Sequence, residues 1–69
     1  MEILFNSRLR ELRKEKALTQ TQLAQILNVS QATVAKWETG DREPDLIMIL
    51  RLCEVLETSV DYLLGVSDV

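Results

Sequence analysis

Gln31, Ala32, Thr33 and Lys36 lie close together in the chain and bring the side-chain types that read the edges of DNA bases. A glutamine amide can hydrogen-bond an adenine edge in two places, and an alanine or threonine methyl can touch the methyl of thymine. A lysine ammonium can donate to guanine O6 and N7 or to a phosphate. Gln20, at the start of an earlier helix, adds amide donors at the positive end of a helix dipole, which suits a phosphate and sets register without reading sequence. Catalytic chemistry has a poorer supply of groups. The 69 residues include no histidine and one cysteine, Cys53. Most acid-base, nucleophilic and metal chemistry is thereby disfavoured; an enzyme is not expected, nor a cofactor or metal.

The elements that must position these residues are helices, because apolar residues recur at spacings of three and four almost throughout and no alternation lasts long enough for a strand. Leu4, Phe5, Leu9 and Leu12 form a stripe that predicts a first helix over about residues 3–16. Thr19-Gln20-Thr21-Gln22 is a capping box that opens a second helix ending near Leu27, with Leu23, Ala24, Ile26 and Leu27 on its buried side and Leu18 with Leu23 as a hydrophobic staple. Asn28 suits a left-handed helix end, and Ser30 suits an N-cap, with Val29 and Val34 as the next staple. So short a link forces a sharp angle between two helices, the geometry of a helix-turn-helix.

In the third helix Val34 and Trp37 point inward, which turns Ala32, Ala35 and Lys36 outward with Gln31 and Thr33 on the flanks. That outer face carries almost nothing to bury and fits a groove. Gly40 ends the helix. Asp45 is the expected N-cap of a fourth helix through about Leu56, and Thr58 or Ser59 caps a short fifth helix that Gly65 stops, with Val60, Leu63 and Leu64 turned inward. Trp37 and Cys53 read as core residues rather than as a stacking platform or a redox group.

Hydrophobic residues are 46% of the chain and aromatics 4%, so the core is built from aliphatic side chains. Charge is unevenly placed. The net charge is −3, yet residues 8–42 hold seven basic residues against four acidic, while residues 44–69 hold one against five. The excess of positive charge in the first stretch could meet phosphates or be a solvated surface. No run reaches the roughly 18–20 apolar residues of a membrane span, and the start lacks the pattern of a signal peptide, so the expectation is a cytoplasmic protein.

Thr19 to Gly40, TQTQLAQILNVSQATVAKWETG, followed by Glu43-Pro44 and by Ser59-Val60-Asp61-Tyr62-Leu63-Leu64, resembles the Cro/CI-type (XRE-like) helix-turn-helix family of prokaryotic and phage regulators. The resemblance covers residues 9–64 of a single domain, 1–69, with the helix-turn-helix motif at 20–39. It implies an all-α, compact five-helix, lambda-repressor-like DNA-binding domain whose third helix enters the major groove. By the same resemblance Gln20 holds a phosphate, Ser30 and Thr33 make phosphate or edge contacts, and Gln31, Ala32 and Lys36 read bases. Thr39 and Arg42 lie near the DNA backbone, and Arg13 and Glu38 pair to tie the first helix to the end of the third. Ala17, Asn28 and Glu57 stand at helix ends where the family commonly has glycine, a departure that costs alanine and glutamate about 1 kcal/mol each.

A domain under about 70–80 residues without disulfide or metal often gains support from a partner subunit. Two copies on half-sites about 34 Å apart would also supply affinity and a palindromic preference. Ile47, Met48, Val66 and Val69 are candidates for a homodimer interface, against the plainer alternative of ordinary core or scattered surface residues. The expectation is therefore a repressor that covers a palindromic operator in double-stranded DNA. The alternative is a protein-interaction module, such as an antitoxin, docking a protein partner through the fourth helix.

Overall fold

The computed structural model describes residues 3–66. Among them the order is α1 (Phe5–Glu15), α2 (Gln20–Leu27), α3 (Gln31–Thr39), α4 (Leu46–Leu56) and α5 (Val60–Leu64), with no strand. Val69 lies outside the described residues.

Capping chemistry sets where four of these helices begin. Thr19 accepts from the Gln22 N–H while Gln22 returns a side-chain oxygen to the Thr19 N–H, closing the capping box. Ser30, Asp45 and Ser59 each accept from the N–H three residues on. α1 starts at Leu4 without a side-chain cap, and is shorter at both ends than the apolar stripe suggests.

The helix ends share a second device. After α1, α2, α4 and α5 the chain turns left-handed at Ala17, Asn28, Glu57 and Gly65. In each turn the next N–H reaches back to a carbonyl of the last helical turn, as in Leu18 to Arg13 and Val29 to Ala24. Gly65 is required on two counts: its φ is +78°, and a Cβ there would lie 2.5 Å from that of Leu4. The Leu4 N–H donates to the Leu64 carbonyl at 2.8 Å across the same contact.

Each helix contributes one side chain with 0% exposed surface, namely Leu9, Leu23, Val34, Leu52 and Leu63. Phe5, Leu12, Leu27, Trp37, Ile49, Cys53 and Leu56 close around them. Arg8 holds α5 against α1, its guanidinium 4.0 Å from the centre of the Tyr62 ring and donating to the Tyr62 carbonyl at 2.9 Å.

The placement of Ile26 differs from expectation, and that of Met48 is the core alternative to an interface position. Ile26 is half exposed rather than buried, because α2 faces the core along Leu23, Ala24 and Leu27, and Gln20 shares that arc in its place. Met48 is half-buried against the core, so the outward apolar face of α4 is made by Leu46, Ile47 and Leu50.

Candidate nucleic-acid interface

The site is built on the junction of α2 and α3. Asn28, at φ +59°, and Val29 are the whole link between the end of α2 at Leu27 and the Ser30 cap. Asparagine tolerates this conformation better than other residues with a side chain, because its short polar group can bond locally. Burial of Val34 and Trp37 then fixes the rotation of α3, leaving Gln31, Ala32 and Lys36 exposed and Thr33 half-exposed.

A chain of hydrogen bonds runs from the interior to this face. Arg13, buried at the side-chain level along with Glu38, donates Nε to Glu38 Oε2 at 2.7 Å and a terminal nitrogen to Oε1 at 3.1 Å. Its other terminal nitrogen donates to the Leu18 carbonyl at 2.8 Å. The carboxylate raises the pKa of Arg13 above its ordinary value, chiefly through the hydrogen bond. Gln20 Nε2 donates to the same Glu38 Oε1 at 3.1 Å, and Gln31 Nε2 donates to Gln20 Oε1 at 2.7 Å.

Charge dictates the sense of this chain. An ionised carboxylate only accepts, so Gln20 must turn its NH2 toward Glu38 and its oxygen toward Gln31. Gln31 must in turn present NH2 to Gln20. Its second N–H and its oxygen then remain as an adjacent donor and acceptor, the complement of adenine N7 and N6 in the major groove.

The other sequence-derived positions fall into two groups around this pair. Ser30 and Thr33 share a hydroxyl–hydroxyl bond of 2.8 Å at the start of α3. Thr33, Lys36 and Arg42 line one concavity of about 450 Å³ between α3 and the start of α4, with Trp37 and Met48 in its wall. Thr39 donates its hydroxyl to the Lys36 carbonyl at 3.2 Å. Ile47 and Val66 are exposed, 72% and 41%. Two residues that sequence reasoning names only for the fold or the family resemblance, Glu43 and Asp45, line the concavity beside the two cations. Their signal is their position on both sides of Pro44, in the loop that joins α3 to α4.

The family model described as Helix-turn-helix matches residues 9–63. The chain is 36% identical over 61 residues to an uncharacterised HTH-type transcriptional regulator, YqaE, of Bacillus subtilis, covering 88% of this chain and 53% of that protein. It is similar in structure to a transcriptional regulator from Listeria innocua, with a TM-score of 0.87, 35% identity, and coverage of 94% of this chain and 61% of the other. The repressor protein c2 of Salmonella phage P22, solved in complex with a synthetic operator, gives a TM-score of 0.82 at 34% identity, covering 88% of this chain and 92% of the solved chain, and the match spans 28% of the full-length repressor. The chain spans about half the length of the curated relatives it matches.

Proposed function

The chain belongs to the Cro/CI-type helix-turn-helix family of transcriptional regulators, and from that premise we propose that it is a sequence-specific DNA-binding regulator that reads the major groove with α3. The observation that carries this reading is the oriented Gln31 amide, held through Gln20 and Glu38 by buried Arg13. In this account Gln31 and Ala32 meet base edges and Lys36 meets a guanine edge or a phosphate, while Gln20, Ser30, Thr33, Thr39 and Arg42 hold the phosphates on either side. The similarity to a repressor solved on its operator supports DNA as the partner.

The same reading makes the protein a repressor that covers a palindromic operator as a homodimer. One such module offers few base contacts, and a two-fold pair doubles them on half-sites one helical turn apart. The exposed apolar side chains Leu46, Ile47 and Leu50 on α4, with Val66 beyond α5, are the candidate interface. That face also favours a second reading, a module that docks a different protein through α4. Sedimentation of the purified chain at several concentrations separates the two: a concentration-dependent dimer supports self-association, whereas a monomer that gains mass only with a partner supports docking.

Salt dependence tests the DNA reading. Affinity for duplex should fall steeply as salt rises, and Lys36→Ala should flatten the log–log slope by about 0.9 if the ammonium neutralises one phosphate. Binding that ignores salt would contradict the mechanism.

A further inference from the structure

We propose that Glu43 is an electrostatic brake on DNA binding, a built-in negative charge that lowers affinity for every duplex alike; the proposal rests on the DNA reading of α3. Loops that flank a recognition helix commonly meet the sugar-phosphate backbone, where positive charge is favourable. Here the segment from Gly40 to Asp45 carries Asp41, Glu43 and Asp45 against the single base Arg42. The carboxylates differ in what they are doing. Asp45 is committed to the fold, accepting from the Met48 N–H at 2.8 Å to start α4. Asp41 does not line the concavity, whereas Glu43 does, beside Lys36 and Arg42.

Glu43 is exposed, and among the described residues no ion pair joins it to Lys36 or Arg42. Its charge therefore stands beside both cations without being cancelled by a direct contact with either. Phosphates drawn to Lys36 and Arg42 meet this carboxylate at the same rim. The repulsion is equal for all sequences, because every duplex carries the same backbone charge. The ratio of correct to incorrect sites is then unchanged while both affinities fall. A regulator set this way stays responsive to its own concentration and is held less by bulk DNA.

The test compares wild type, Glu43→Gln and Glu43→Asp on two duplexes, a site selected from a random pool and a random-sequence duplex, across a salt series. Thermal melting of each variant confirms that the exposed position leaves the fold intact. Glu43→Gln should tighten binding to both duplexes by the same factor, about two- to fivefold at low salt. That gain should vanish near 1 M salt, where the Debye length is about 3 Å, and Glu43→Asp should behave as wild type. A gain confined to one duplex would make Glu43 a base contact and overturn the brake. No change, weaker binding, or a Glu43→Asp variant that matches Glu43→Gln would overturn it as well. A folded wild type that holds neither duplex would overturn the DNA reading itself, and the brake with it.

Discussion

Gln31 donates its amide to Gln20 at 2.7 Å, from the first residue of α3 to the first residue of α2. Because Gln20 also donates to Glu38, and Glu38 accepts two bonds from Arg13, an exposed side chain inherits its orientation from a buried guanidinium. A solvent-facing glutamine would otherwise sample both amide orientations and lose rotamer entropy on binding. Preorganisation here is a property of the fold that the reading face uses.

Gln20→Ala removes the link while leaving the Thr19 capping bonds in place. The protein should keep its melting temperature within a few degrees, as expected for truncation of a half-buried polar side chain outside the apolar core. In competition binding, the penalty for changing the base pair that meets Gln31 should shrink from about 1–3 kcal/mol toward zero. An unchanged penalty would show that Gln31 orients itself without Gln20.

Arg13→Ala strands the Glu38 carboxylate, whose side chain is 5% exposed. Breaking such a pair costs about 3–5 kcal/mol, and at about 4–8 °C per kcal/mol for a small domain the melting temperature should fall by more than about 12 °C. Replacing both members by leucine should cost less than Arg13→Ala alone, since no charge is left buried. A double variant less stable than Arg13→Ala would contradict that account.

Ala17 and Glu57, at φ +56° and +54°, occupy conformations in which a side chain costs about 1 kcal/mol relative to glycine. Ala17→Gly should therefore raise the melting temperature by about 4–8 °C. Glu57→Gly should gain less, because Glu57 also pairs with Lys16 across the ends of α1 and α4. Denaturant unfolding of both variants checks the order.

The same ion pair gives a pH signature. The hydrogen bond from Lys16, with its charge, lowers the pKa of Glu57 below the usual carboxylate range. A carboxylate depressed in the folded state stabilises at neutral pH, and that contribution is lost as pH falls through the folded-state pKa. Lys16→Met should remove this part of the acid-side loss, so the wild-type and variant stability curves should converge at low pH. Curves separated by a constant offset would place the effect of Lys16 elsewhere.

How much of this was legible in the chain depends on how local the chemistry is. Thr19 with Gln22, Ser30, Asp45 and Ser59 announce helix starts because a cap bonds to an N–H three residues away, within reach of sequence reading. Val34 and Trp37 set the rotation of α3 by spacing alone. Ile26 and Met48 were harder, since on short helices the buried arc depends on where neighbours pack, and an apolar side chain carries no label for its face. The bond from Gln31 to Gln20 joins two different helices, and nothing in local spacing signals it. Glu43 was hidden for a related reason: only the fold brings the start of α4 beside Lys36.

Leu46, Ile47 and Leu50 are 83%, 72% and 57% exposed on one helix, a concentration unusual on a solvated surface. Ile47→Glu should abolish the proposed dimer in sedimentation while leaving thermal stability of the monomer within about 0.5 kcal/mol. It should also weaken binding to a palindrome far more than to a single half-site. Retention of the dimer would move the interface away from α4.

The central claim is that α3 reads sequence through a preset Gln31, and selection of sites from a random duplex pool tests it most directly. Wild type and a Gln31→Ala, Lys36→Ala variant would be selected in parallel at moderate salt. The account predicts that wild type enriches a palindrome with adenine at one symmetric position, and that the variant loses that preference. Enrichment of the same site by both proteins, or of none by a folded wild type, would contradict it.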